Sequence, residues 1–277
     1  MDYLGYKVLQ LDDNTLSQLY TYGNLGAGAP EFLVNEYLIA TDKDDNPVDY
    51  FRYNTEGYFV RVPFRTIQTD YIGEVKPRNA EQRIAIDMLK NPDIGIKMLG
   101  GSFGRGKDFL MLAQAYAMLQ SGEIEKIVYV RNNIGVEGSK DIGYIPGDIL
   151  SKSLPWAMPL ADILGSKEAL LSAIEREEIE IEPLYYLRGR SFKKSIIYVS
   201  EGENLTKKNI QLLIGRVGEG SQLFINGDCK QADTEAFRKD SGMELMLERL
   251  AGQPLFGYVK LEKNERSAIA SLCDLLD

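Results

Sequence analysis

Apolar and polar positions alternate in two different textures along this chain, and the change falls between Thr66 and Pro77. Upstream, short runs such as Tyr37-Leu38-Ile39-Ala40, Val48-Asp49-Tyr50-Phe51-Arg52-Tyr53 and Tyr58-Phe59-Val60-Arg61-Val62 are rich in aromatic and β-branched residues, with Asp, Asn and Gly between them. That pattern predicts strands, so residues 1–76 are expected to form a small β-rich domain. Asn54-Thr55-Glu56-Gly57 is expected to close a hairpin, and Asp13 to Gly23 to form a short helix opened by an Asp or Asn cap.

From Glu81 onward, helical periodicity alternates with apolar runs. Strands are expected near Ile94 to Leu99, Lys126 to Arg131, Glu180 to Leu187, Ser195 to Val199, Gln222 to Ile225 and Tyr258 to Leu261. Such alternation predicts an α/β fold over residues 77–277, a parallel sheet with flanking helices. Lys167 to Glu182 carries six glutamates and reads as a solvated amphipathic helix.

Composition narrows the chemistry. With 44% apolar and 26% charged residues the 277-residue chain is neither disordered nor fibrous, and its size suits about two domains. No apolar stretch reaches membrane-spanning length and no secretory signal is evident, so a cytoplasmic protein is expected. Cys229 and Cys273 are read as reduced thiols and not as metal ligands. The chain has no histidine, which removes histidine-dependent nucleophiles, the common zinc sites and histidine bases. Carboxylate, lysine, arginine and magnesium chemistry survives, the set used in phosphoryl transfer. A net charge of -9 confines any nucleic-acid contact to a local patch.

Gly101-Ser102-Phe103-Gly104-Arg105-Gly106-Lys107 satisfies G-x-x-x-x-G-K between an apolar strand and a helical stretch, the P-loop context. Its glycines let backbone N–H groups turn toward a phosphate, and Lys107 is placed to reach the β- and γ-phosphates of ATP. Gly101, Gly104, Arg105, Gly106, Lys107, Asp108 and Phe109 are the candidate nucleotide contacts of the loop. Asp108 stands where a Ser or Thr hydroxyl should hold Mg2+, while Ser200 stands where a second motif, Ser200-Glu201-Gly202-Glu203-Asn204, should carry an Asp. Two accounts stay open: the hydroxyl and carboxylate have traded places around one magnesium site, or two independent losses mark a decaying one.

The order of motifs resembles that of PhoH-like ATPases. It comprises Pro77-Arg78-Asn79-Ala80-Glu81-Gln82, the phosphate loop, Lys140-Asp141-Ile142-Gly143-Tyr144-Ile145-Pro146-Gly147, Arg188-Gly189-Arg190-Ser191, Ser200 to Thr206, Gly227-Asp228 with Gln231, and Glu265-Arg266-Ser267. The resemblance runs from Pro77 to the C-terminus and implies a core like that of superfamily-one helicases, associated with hexameric rings and RNA. It also implies a PIN nuclease domain as a fused partner; none is read in these 277 residues, which are expected to be either a truncated sequence or a naturally PIN-less form. By that resemblance Asn79 and Gln82 read adenine, Glu201 orients the attacking water and Gln231 senses the γ-phosphate after Asp228. Arg266 would stabilise transition-state charge, and Arg216 or Arg266 would reach a neighbouring subunit's phosphates. Asp108, Ser200, Phe103, Asn132 and Glu203 depart from the pattern, Glu203 standing where Gln is usual.

Between Ile181 and Arg216, seven Lys/Arg stand against three Glu, with Tyr185, Tyr186 and Phe192 interleaved. This suits RNA stacking; in the alternative the cations are solvated or meet the acidic stretch of a neighbouring subunit and the tyrosines are core, and for the aromatics the core reading is preferred. Arg131 and Lys140 are further candidates. The expected activity is ATP hydrolysis with Mg2+, acting on RNA. The alternative is a nucleotide-binding module that organises a ring without turnover, and a small-molecule kinase is disfavoured by the Gly227-Asp228 and Glu265-Arg266-Ser267 motifs.

Overall fold

The computed structural model describes residues 3–131, 154–232 and 235–263. Strand β1 (Tyr6–Gln10) pairs in parallel with β2 (Tyr37–Thr41), which continues antiparallel to β3 (Pro47–Tyr53) and β4 (Phe59–Arg61). Helix α1 (Asp13–Tyr22) is capped by Asp12, whose side chain accepts the Thr15 N–H, and ends at Gly23 with φ of 66°. The Asn54–Gly57 turn joins β3 to β4, and the Asn54 side chain accepts from the Glu56 and Tyr58 N–H groups. Helix and hairpin thus occupy the places their sequences predict. Strand β2 is buried throughout because both of its faces are covered. Tyr37 and Ile39 enter the main core, whereas Leu38 and Ala40 pack with Leu19, Phe51 and Phe59.

A ribbon of β5 (Ile67–Thr69) and β6 (Gly73–Val75) leads into α2 (Ala80–Lys90), β7 (Ile96–Gly100), α3 (Lys107–Gln120) and β8 (Lys126–Arg131). After the next described residues come α4 (Met158–Leu164), α5 (Lys167–Glu175), β9 (Ile179–Pro183), β10 (Ser195–Ser200) and α6 (Lys207–Ile214). Strand β11 (Gln222–Gly227), α7 (Glu235–Lys239), α8 (Gly242–Leu250) and β12 (Phe256–Lys260) complete the described order. The sheet runs β12-β7-β11-β10-β8-β9, with every neighbouring pair parallel.

Strand alternation splits the core between the two faces. Ile127, Tyr129, Ile196 and Tyr198 meet the apolar sides of α2 and α3. Val128, Val130, Ile197 and Val199 meet Leu213 of α6 and Met243 and Met246 of α8. The small sheet joins the first of these clusters through Tyr37, Tyr50 and Val62. Polar ties fix the same contact: the Tyr37 hydroxyl donates to Asp87 at 3.0 Å, and the Asn35 amide donates to the Pro254 and Phe256 carbonyls at 2.9 and 3.0 Å.

Two segments differ from expectation. The strand expected over Glu180 to Leu187 stops at Pro183, and Leu184–Leu187 is a 3-10 turn. Three residues per turn place Leu184 and Leu187 on one buried side and leave Tyr185 and Tyr186 exposed at 64% and 57%. Those tyrosines are therefore not core, although Phe192 is. The single helix expected over Lys167 to Glu182 ends at Glu175, and Glu177 turns the chain with φ of 58°. Glu180 and Glu182 then lie on β9, where Lys126 bonds Glu180 and Arg190 bonds both.

Candidate functional site at the phosphate loop

The loop between β7 and α3 turns on glycines at positive φ, 123° at Gly101, 78° at Gly104 and 85° at Gly106. A Cβ on Gly101 would lie 2.2 Å from the Leu261 carbonyl oxygen, so only glycine fits that approach. Lys107 opens α3 and directs the helix's unpaired N–H groups and positive dipole end at the loop. Its buried ammonium donates to the loop's own carbonyls, those of Gly101 and, at 2.8 Å, Ser102. Burial lowers its pKa, opposed by the nearby carboxylates of Asp108, Glu203 and Asp228. The loop borders a cavity of about 710 Å³, lined among others by Ile72, Val75, Pro77, Gln82, Phe103 and Phe109. Its size and mixed lining suit a nucleotide-sized ligand.

Asn79 caps α2 by accepting the Gln82 N–H at 2.8 Å. The Gln82 amide accepts from the Arg78 N–H at 3.0 Å and donates to the Arg105 carbonyl at 3.5 Å, tying helix α2 to the loop. Arg105 donates to the Ser102 hydroxyl at 3.0 Å.

Asp108 and Ser200 are joined through a tyrosine pair. The Tyr198 hydroxyl donates to Asp108 Oδ1 at 2.6 Å and accepts from the Asn226 amide at 2.8 Å. One strand over, the Tyr129 hydroxyl donates to Ser200 Oγ at 3.3 Å, and the two rings lie 5.3 Å apart. Burial, then the charge of Asp108, raises the Tyr198 pKa far above its ordinary value; burial pushes Tyr129 up to about 12. Both phenols therefore stay protonated at neutral pH and act as donors.

At the end of β10, Glu201 has a left-handed backbone, φ 54° and ψ 51°, and pairs with Arg131 from the end of β8. Glu203, two residues on, is buried, and its Oε2 accepts the Asp228 N–H at 3.1 Å. Burial pushes its pKa up to about 7, with Glu201 adding to the rise while backbone N–H bonds and Lys107 oppose it. Gln231 closes the next turn through its N–H to the Asp228 carbonyl at 2.8 Å. The structure thus gathers Lys107, Asp108, Ser200, Glu201 and Asp228 around the loop end of the sheet. Arg266, Lys140 with its Gly-Tyr-Ile-Pro-Gly loop, and Asn132 lie outside the described residues.

A family model described as PhoH-like protein matches residues 74–272. The chain belongs to the PhoH-like family. Protein PhoH2 of Bacillus subtilis (strain 168) is 32% identical over 99% of this chain and 64% of its own length. Protein PhoH2 of Thermobispora bispora is 36% identical over 72% of this chain and 46% of its own. Protein PhoH of Escherichia coli (strain K12) is 30% identical over 61% and 49% respectively. The chain thus spans between about half and two thirds of the length of these relatives. Among solved structures it aligns with the Pif1 helicase of Candida albicans at a TM-score of 0.38 and 13% identity, over 72% of this chain and 43% of that one.

In this PhoH-like chain, sequence reasoning missed Tyr129, Tyr198 and Asn226, which hide in apolar strands where an aromatic ring reads as core. Only their hydroxyls and amide, turned to the loop end of the sheet, show another use. Glu203 was visible as a charged residue in its motif, but nothing in the spacing indicated that it is buried.

Proposed function

We propose that this chain binds ATP at the Gly101–Lys107 loop and hydrolyses it with Mg2+, acting on RNA as part of a homo-oligomeric ring. The observation that carries the reading is the buried Lys107 ammonium at the N-terminus of α3, beside a nucleotide-sized cavity. Phosphate oxygens would replace the carbonyls of Gly101 and Ser102 as its acceptors. Magnesium in such a site takes one or two protein ligands together with phosphate oxygens and water. The donor set fits: Asp108 supplies a carboxylate and Ser200 a hydroxyl, held by Tyr198 and Tyr129. Among the described residues no three His, Cys, Asp or Glu form a metal cage, which such a site does not need. Bound magnesium would neutralise phosphate charge. Glu201 would orient water, and Asn79 and Gln82 would border the base.

A second reading, nucleotide binding without turnover in a ring, is favoured by the pairing of Glu201 with Arg131. Calorimetry with ATP tests the first step. Lys107→Ala removes a charge-assisted contact of about 1.5 to 3 kcal/mol and should weaken affinity roughly tenfold or more. Equal affinity in the variant would reject the site. Phosphate release by the wild-type chain, measured with and without Mg2+ and RNA, separates turnover from binding alone.

A further inference from the structure

Glu203 lies on the Gly202–Asn204 turn, 7% exposed, and reaches across to the end of β11. Its room is made by Gly227, where a Cβ would lie 2.4 Å from Glu203 Oε2 and 2.7 Å from the Met243 sulfur. The titratable groups facing it are Lys107 of α3, Glu201 of its own turn, and Asp228 and the Cys229 thiol after β11. Helix α8 presents Met243 to this space, and its Glu244 acts on Cys229. The thiol is pushed by burial to about 12 and stays neutral. Among these described groups, Lys107 is the one cation.

Phosphates that engage Lys107 would bring negative charge beside this carboxyl and draw off the cation that favours its ionised form. Both changes raise its affinity for a proton. We propose that Glu203 belongs to the phosphate-binding machinery, and that its carboxyl takes up one proton from solvent as a nucleoside polyphosphate settles on Lys107. The inference rests on the reading of Gly101–Lys107 as a phosphate site. Once protonated, the carboxyl no longer repels phosphate and offers an O–H donor. The midpoint near neutrality makes the uptake visible at ordinary pH. With no histidine in the chain, few other side chains titrate there.

The test is calorimetric titration of the whole chain with ADP between about pH 6 and pH 9, in buffers of different ionisation enthalpy. Wild type and Glu203→Gln are compared, so that proton uptake by the nucleotide is common to both. At about pH 8 the wild type should take up close to one proton more than the variant, and its Kd should rise with pH by up to about tenfold per unit relative to the variant. Equal proton counts and parallel pH profiles, with binding intact, overturn this inference and leave the phosphate site standing. Absence of ADP and ATP binding at every pH overturns the phosphate site and this inference with it. A thermal melt checks that Glu203→Gln folds. Should it not, the carboxyl resonances of wild-type chain labelled with 13C-glutamate decide alone: one carboxyl should move from the ionised to the protonated position on adding ADP, and no change overturns the proposal.

Discussion

Lys97 shows how far one residue can depart from what its type suggests. It lies on β7 with 1% exposure, and its ammonium donates to the Leu89 carbonyl at 2.7 Å and the Gln222 amide oxygen at 2.8 Å, over the Phe224 ring. Burial pushes its pKa down to about 7, opposed by Glu123. Both hydrogen-bonded acceptors are neutral, so an uncharged amine satisfies them as well as an ammonium. Between about pH 7 and pH 10 the unfolded chain holds a proton that the folded chain releases, so this lysine makes stability rise with pH across that window. At its steepest the contribution is about 1.4 kcal/mol per pH unit. Urea unfolding at the two ends of the window should show that rise in the wild type and its loss in Lys97→Met; parallel profiles would mean that the lysine stays charged. The sequence displayed Lys97 as one polar residue in an apolar strand. It displayed Asp108 as a broken motif, whereas its bond from Tyr198 crosses 90 residues of chain and is seen only once β10 lies beside the first turn of α3.

Elements that carry their own end signals were legible: α1 between Asp12 and Gly23, the Asn54–Gly57 turn, and the Gly101–Lys107 glycine loop with the helix it opens. The segment from Lys167 to Leu187 was not, because glutamate is equally at home on a solvated helix and on an edge strand flanked by cations. Lys126 and Arg190 decided it, and both come from outside the helix. The turn that follows bears on the proposed contact with RNA. Arg190 is committed to Glu180 and Glu182 and lies over the Phe192 ring, and Lys194 pairs with Glu125, so the basic patch is smaller than its residue count. Tyr185 and Tyr186, beside the exposed Arg188, are the surface suited to stacking. Replacing both by Ala should weaken binding of single-stranded RNA tenfold or more, given about 1 to 3 kcal/mol per stacked base, while leaving the melting temperature unchanged. Anisotropy of a labelled oligonucleotide measures the first; unchanged affinity would remove this turn from any RNA path.

At the scale of the whole molecule, the small sheet and the parallel sheet share one apolar cluster: Tyr37, Tyr50 and Val62 pack in the same core as Ile84, Met88 and Val259. Exposing that cluster on either side would cost about 25 cal/mol per Å² of apolar surface, which favours unfolding as one cooperative unit. Fluorescence of Trp156, the chain's single tryptophan, and far-ultraviolet circular dichroism should therefore report one common midpoint in urea. An early dichroism change without a fluorescence change would show that the small sheet unfolds first. By itself the sequence determined the α/β class, the glycine loop that opens α3 and the lack of histidine side chains, because these depend on residue type, local periodicity and glycine spacing. Only the tertiary structure decided the tyrosine bonds at Asp108 and Ser200, the burial of Glu203 behind Gly227, and the buried Lys97. Those outcomes depend on solvent exclusion and on contacts between strands far apart in the chain, which no local pattern encodes.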